Sequence, residues 1–212
     1  MNNSLIKAYK TEQVNQIYNM FFCDDLNLYR QQCQGKAQSP WRELFAEIPD
    51  AEGLKRVAGD PDNESRVKIL AFNELLGLGV KPAKKELLGI VVEVCLEEGL
   101  DTLAAYADGT AHYINYTERM IVWESKDDSG INRAMAELFD KGKNLITEIG
   151  PWDKGRLPQP AKGNVRLSFL VSNGLYFGQG PWYILFNDHM GGPILHTASE
   201  LMNLLVEKAL SK

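Results

Sequence analysis

The chain has 212 residues, of which 44% are apolar and 24% are charged, with 18 glycines and 9 prolines. This composition is that of a globular protein and excludes collagen-like, mucin-like and wholly disordered chains. The formal net charge of −5 comes without the clustered cations that phosphate backbones and anionic lipids require, so the sequence predicts no nucleic-acid partner and no membrane partner.

Three further features predict a soluble cytosolic chain. The longest mainly apolar stretches, Leu87–Leu96 and Val165–Val171, are about half as long as the roughly 20 residues of a membrane-spanning helix. The N-terminal residues lack the apolar core and cleavage site of a signal peptide. Cys23, Cys33 and Cys95 are too few for a disulfide framework and do not have the spacing of zinc ligands. We therefore expect mostly buried thiols, no cofactor and no metal.

Helical patterns fill the first 80 residues. Residues 11–34 carry apolar side chains at the spacing of one helical face, with Thr11 as the predicted N-cap. The pair Asp24-Asp25 either ends this helix or caps a second, shorter one. Further helices are predicted to start near Pro40, Ala51 and Val67.

From residue 87 onward the pattern changes to that of β-strands. The segments Ile90–Val94 and Met120–Glu124 are rich in β-branched residues, which favour strands. Asn173-Gly174 is a typical hairpin turn between predicted strands over Val165–Val171 and Leu175–Phe186. Two helices are predicted in this part of the chain, over residues 131–148 and 194–209.

A second hairpin signal, Asp108-Gly109, predicts the register of its two strands. If these residues are the central pair of a two-residue turn, Ala105 lies opposite His112 and both share a core face. On that face His112 is expected to be a structural histidine. The opposite face would then carry Tyr106, Ala111 and Tyr113.

The order of these elements predicts an α+β fold. An N-terminal helical portion over residues 1–80 is followed by an antiparallel sheet over residues 81–212, in the order strands, helix, strands, helix. The two covering helices pack on the sheet. The two portions are either separate domains or one compact unit.

The segment Ile149–Pro160 combines aromatic and charged side chains with three prolines that stiffen it. Its candidate binding residues are Trp152, Asp153, Lys154 and Arg156. A stiff connector loses little conformational entropy when it binds, which favours a ligand or partner surface. The alternative is that Trp152 packs the connector onto the sheet while the charged groups pair locally.

Two other positions are candidates for binding. Tyr176 lies near glycines and either fills a sheet face or lines a slot for a flat ligand. Asp188 and His189 follow the last strand, where loops often carry binding groups. The alternative for Asp188 is the cap of the following helix.

Several long motifs resemble those of a family of uncharacterised bacterial proteins. They are GLDTLAAYADGTAHYIN (residues 99–115), IGPWDKGRLP (149–158) and FLVSNGLYFGQGPW (169–182). The resemblance implies a bacterial protein whose distinctive motifs fall in the sheet hairpins and the connector. That family has no assigned activity, so it implies no site residue.

For function, the sequence favours a non-enzymatic binding or protein-interaction module. No G-x-S-x-G elbow and no glycine-rich phosphate loop is present. The alternative is a small hydrolase-like enzyme with a polar pocket formed by Asp153, Arg156, Asp188 and His189. The partner is then an unknown protein or small molecule, and a homodimer through an exposed edge strand is a further hypothesis.

Overall fold

The computed structural model describes residues 5–32 and 38–211, so Cys33 lies outside the described residues. These residues form eight helices and one six-stranded antiparallel sheet, which confirms the α+β class. The helices are α1 (Glu12–Met20), α2 (Leu26–Gln32), α3 (Trp41–Leu44), α4 (Ala51–Gly59), α5 (Ser65–Gly77), α6 (Ser129–Glu148), α7 (Trp182–Leu185) and α8 (Gly191–Leu210). The strands are β1 (Leu87–Cys95), β2 (Leu100–Tyr106), β3 (Ala111–Ile114), β4 (Met120–Trp123), β5 (Asn164–Val171) and β6 (Gly174–Pro181).

The sheet separates two layers of helices. Its strand order is β4-β3-β2-β1-β5-β6, so β4 and β6 are the edges. Helices α6 and α8 cover one face, and the N-terminal helices cover the other. The helical portion is therefore a third layer. Because both faces are buried, β1 and β5 are apolar on both sides, as Val91 and Val92 illustrate.

Residues 11–32 form two helices, which agrees with the second of the two expectations for Asp24-Asp25. The chain turns between α1 and α2 at Cys23, whose φ is +52°. Thr11 stands at the N-cap position of α1, but its hydroxyl makes no capping bond. It donates instead to Glu118 Oε2 at 2.7 Å, which joins the start of α1 to the turn before β4.

The predicted register of the β2–β3 hairpin is wrong by one residue. Ala104, not Ala105, lies opposite His112. The turn contains three residues, Ala107–Gly109, since the Tyr106 amide donates to the Thr110 carbonyl at 2.9 Å. A three-residue loop ending in a positive-φ glycine is a common alternative to the two-residue turn. His112 is buried as expected, but it faces the N-terminal helices, on the side of the sheet opposite to Ala105.

The last predicted strand is too long at its C-terminal end. Strand β6 ends at Pro181, which has no N–H group to continue a ladder. The four residues of α7 follow, and the Trp182 ring packs against the Phe186 ring with 4.6 Å between centroids. This short helix leads directly into α8.

Helix α6 packs on one face of the sheet, with one flank close to the start of β1 and the end of β2. It starts after β4, and its middle lies on β1 and β5, where Gly142 meets Ile90 and Phe169. Its last turn is held by Lys85, whose ammonium group donates to the Ile146 carbonyl. The chain then reaches β6, where the Trp152 amide donates to the Leu175 carbonyl at 2.7 Å. This path leaves one flank of α6 beside the strand ends.

Candidate functional site

A groove of about 840 Å³ lies between α6 and the neighbouring ends of β1 and β2. One wall is α6 from Asn132 to Thr147, and the other comprises residues 85–87 and the β2–β3 turn. The volume falls in the range of roughly 300–1,000 Å³ that is typical of ligand sites. The side chains that the two walls contribute come from three separate parts of the chain.

The floor of the groove is apolar and its rim is polar. Met135, Phe139 and Ile146 point from α6 into the core shared with α8 and the sheet, so only their outer edges reach the groove. Ala136 is exposed in the middle of the α6 wall. A small side chain at that position lets a ligand approach the helix closely. The charged rim consists of Lys85, Glu86, Asp108, Lys126, Asp140 and Lys143.

The lysines of the rim keep most of their positive charge uncompensated. Lys85 contacts neutral groups, namely the Ile146 carbonyl and the Tyr176 ring, whose centroid is 4.5 Å from Nζ. Lys126 forms no ion pair with any part of the chain that the structure describes. Lys143 lies 3.4 Å from a carboxylate oxygen, but both side chains are exposed and such pairs are weak.

Among the carboxylates of the rim, Asp108 is held by several hydrogen bonds. Asp108 accepts hydrogen bonds from the amides of Ser65 and Thr110 and from the Thr110 hydroxyl, at 2.7–3.0 Å. Burial acts to raise the pKa of Asp108, but these bonds and the nearby Arg66 hold it below its usual value. Ser65 is the first residue of α5, so its bond to Asp108 joins the β2–β3 turn to the N-terminal helices. Glu86 and Asp140 are exposed, and Asp140 pairs weakly with Lys143. Any preference of the rim for an anionic group therefore depends on Lys85 and Lys126.

The predicted connector residues lie outside this groove. Trp152 is half-buried and packs edge-on against Phe177, with 5.0 Å between ring centroids. Its indole N–H donates to the Gly155 carbonyl, and the Lys154 ammonium lies 5.5 Å from its ring. Asp153 and Lys154 are exposed. Packing of Trp152 on the sheet edge is the alternative that the sequence left open.

Arg156 joins the connector to the N-terminal helices. Its side chain is 8% exposed, and its Nε donates to Asp24 at 2.7 Å. A second nitrogen donates to Asn19, and the guanidinium stacks on the Phe22 ring at 3.9 Å. A buried bidentate arrangement of this kind is typical of a structural clamp.

A second buried cation was missed by the sequence analysis. Arg166 on β5 lies directly opposite Glu93 on β1, with 3.5 Å between the charged atoms and almost no exposure of either side chain. Arg166 also donates to the carbonyls of Leu157 and Pro158, and the Tyr18 hydroxyl donates to Glu93 at 2.6 Å. Burial raises the pKa of Glu93, while Arg166 and Tyr18 oppose that rise. The signal in the sequence was one charged residue in each of two apolar strands.

The remaining candidates also have structural contacts. Tyr176 is buried, and its hydroxyl bonds Asn173 in the hairpin turn. Asp188 accepts from the amides of Met190 and Gly191 at the start of α8, and these bonds lower its pKa. His189 is 85% exposed beside Asp188.

The structure does not bring Asp153, Arg156, Asp188 and His189 together in one site. Arg156 lies against α1 on one side of the sheet, and Asp188 caps α8 on the other. The groove residues gave no signal in the sequence. The charged face of α6 has the pattern of an ordinary solvated helix, and Lys85 and Lys126 belong to connections.

Comparison with protein-family models, with curated proteins and with solved structures gave no match. Among residues 5–32 and 38–211, no helix combines the length and the apolar character needed to cross a membrane. The same residues bring no three His, Cys, Asp or Glu side chains together as metal ligands.

Proposed function

We propose that this protein is a binding module whose α6 groove holds an extended, acidic segment of a partner protein. The observation that carries the proposal is the groove itself, with its apolar floor and with Lys85 and Lys126, which form no ion pair within the part of the chain that the structure describes. The lining of α6 runs from Asn132 to Thr147, a distance of about 22 Å at the rise of an α-helix.

The dimensions favour a polypeptide in an extended conformation. A chain in the β conformation rises about 3.3 Å per residue, so its length can be matched to the α6 wall. About seven extended residues would span the groove. Alternating side chains could then contact the apolar floor and the lysines of the rim.

The test begins with selection from a displayed library of random peptides of about seven residues. We expect enriched peptides to combine aspartate or glutamate with apolar residues. Fluorescence anisotropy then measures their affinity for variants of the whole chain. Ala136→Arg fills the groove from an exposed position, and we expect it to weaken binding at least tenfold, or about 1.4 kcal/mol.

The matched control is Ala161→Arg, the same change at an exposed position in the turn before β5. It should leave affinity unchanged. Lys126→Glu should weaken binding and reduce its dependence on salt. Failure to enrich any peptide, or equal affinity for the Ala136→Arg variant and the unmodified chain, would contradict the proposal. The bacterial family resemblance and the cytosolic location stay predictions of the sequence and add no residue to this site.

A further inference from the structure

The two edges of the sheet differ in how they are covered. At β6, the Leu175 carbonyl accepts from the Trp152 amide at 2.7 Å, and the Trp152 ring packs against Phe177. The connector therefore shields part of that edge. At β4, the described residues place no chain against the outer side of the strand. Met120 is 44% exposed and Val122 is 58% exposed on this edge.

The backbone of β4 has donors and acceptors that point outward. The Asn115 amide donates to the Arg119 carbonyl at 3.0 Å, and β4 continues in that register against β3. Hydrogen-bonded pairs recur at every second residue of an antiparallel ladder. Ile121 and Trp123 therefore bond β3, while the N–H and C=O groups of Met120 and Val122 face away from the sheet. An uncovered edge of this kind is a template for another strand.

We propose that β4 pairs with β4 of a second copy of this chain, antiparallel and with the two-fold axis at Val122. This register places Val122 opposite its own counterpart and Met120 opposite Glu124 of the second copy. Ile121 then lies opposite Trp123 of the second copy on the α8 side. Aromatic and β-branched residues form favourable cross-strand pairs. The two sheets become one continuous layer.

Charge supports a second copy in the antiparallel direction. β4 is preceded by Arg119 and followed by Glu124, and both side chains are exposed. Antiparallel pairing brings the basic end of one strand to the acidic end of the other, whereas parallel pairing brings like charges together. A groove of about 220 Å³ between β4 and α8, lined by Leu205, Lys208 and Ala209, leaves room for Ile121 of the second copy.

The strand has only four residues, so the interface is small and the dimer should be weak. Sedimentation velocity of the full chain, at concentrations from about 10 µM to about 1 mM, measures this self-association. We expect the sedimentation coefficient to rise from that of a monomer toward that of a dimer. A chain that stays monomeric at the highest concentration would overturn the proposal, whatever other strand binds β4.

Variants locate the interface. Val122→Pro removes an outward N–H without removing a bond to β3, and we expect it to abolish association. Val122→Thr is the matched control, because it keeps the amide and the β-branched shape, and it should still associate. A folded Val122→Pro variant that dimerises like the unmodified chain would place the interface elsewhere and overturn the proposal.

A charge exchange tests the antiparallel direction independently and does not require proline to be tolerated. Arg119→Glu should weaken association about tenfold, because acidic ends then meet. The double variant Arg119→Glu/Glu124→Arg should regain self-association. It should not pair with the unmodified chain, because like charges then meet. If the double variant stays as weak as the single variant, the antiparallel pairing proposed here is wrong.

Discussion

His112 is buried in an apolar environment at the start of β3. It lies near the rings of Phe21 and Tyr106, at centroid distances of 5.5 Å and 5.9 Å. Its Nε2 atom has no hydrogen-bond partner among the described residues. Burial, together with the positive charge of Arg66, lowers the pKa of His112 to about 4, while Asp108 acts in the opposite direction. The folded protein therefore holds this imidazole neutral.

This lowered pKa predicts a loss of stability in mild acid. Below about pH 6.5 the unfolded chain binds a proton at His112 that the folded chain does not bind. The free energy of unfolding should thus fall as pH decreases from about 6.5, by about 3 kcal/mol at pH 4. Urea unfolding across this range measures the effect. His112→Leu should remove that part of the pH dependence, and an unchanged slope in this variant would contradict the assignment.

The ion pair of Glu93 and Arg166 could have been predicted from the sequence. Each is the one charged residue of its apolar strand, and a charged group in a doubly covered strand must be paired. The pairing was therefore predictable in principle. The bonds from Arg166 to the connector carbonyls were not, since they depend on where the connector runs.

At the scale of elements, the groove depends on how closely α6 approaches the sheet. Gly142 makes the approach possible, because a Cβ atom there would lie 2.8 Å from Ile90 Cδ1 and 2.9 Å from Leu87 Cδ2. Both of those side chains are buried and have little freedom to move. The glycine thus positions the apolar floor of the groove.

Gly142→Ala should destabilise the protein by about 1–2 kcal/mol, although alanine is the better helix former. The reason is overpacking against β1. Gly59→Ala is the matched control, because nothing lies within 4 Å of its added Cβ, and this change should be neutral or stabilise by up to about 1 kcal/mol. Urea unfolding midpoints compare the two variants. If the Gly142→Ala protein were as stable as the control, the prediction would be wrong, because α6 would then move away from β1 without a loss of stability.

At the scale of the whole molecule, the sheet is shared by two cores. Leu88, Val91 and Leu170 pack under the N-terminal helices, while Ile90 and Phe169 of the same strands pack under α6 and α8. Neither layer can separate without exposing one face of β1 and β5. The N-terminal helices are also joined to the sheet through Tyr18 and through Arg156 of the connector.

We therefore expect both layers to unfold in one cooperative transition. Trp41 belongs to the N-terminal layer and Trp123 to the layer of α6 and α8. In a chain labelled with 5-fluorotryptophan, the ¹⁹F resonances of these two residues report on each layer within the same molecule. Their urea midpoints should coincide. Two separated midpoints would mean that residues 1–80 form an independent domain.

Much of the secondary structure was predictable, because its signals are local. The helix over 131–148 and the hairpin at Asn173-Gly174 were predicted within a few residues of where they occur. The β2–β3 register was not predicted. The Asp108 carboxylate bonds both Thr110 and the distant Ser65, which favours a three-residue turn. The bond to Ser65 depends on the position of α5, which begins 43 residues earlier in the chain.

The sequence by itself indicated most of the helices and strands, with α7 as the exception, and it indicated an antiparallel sheet with covering helices. Periodicity, caps and turn residues act over a few neighbouring positions, so they can be recognised without a structure. Only the tertiary structure decided that the N-terminal helices form a third layer, that Arg156 is a clamp, and that Lys85, Lys126 and Lys143 line one groove. Residues far apart in sequence meet only through packing, which no local pattern records.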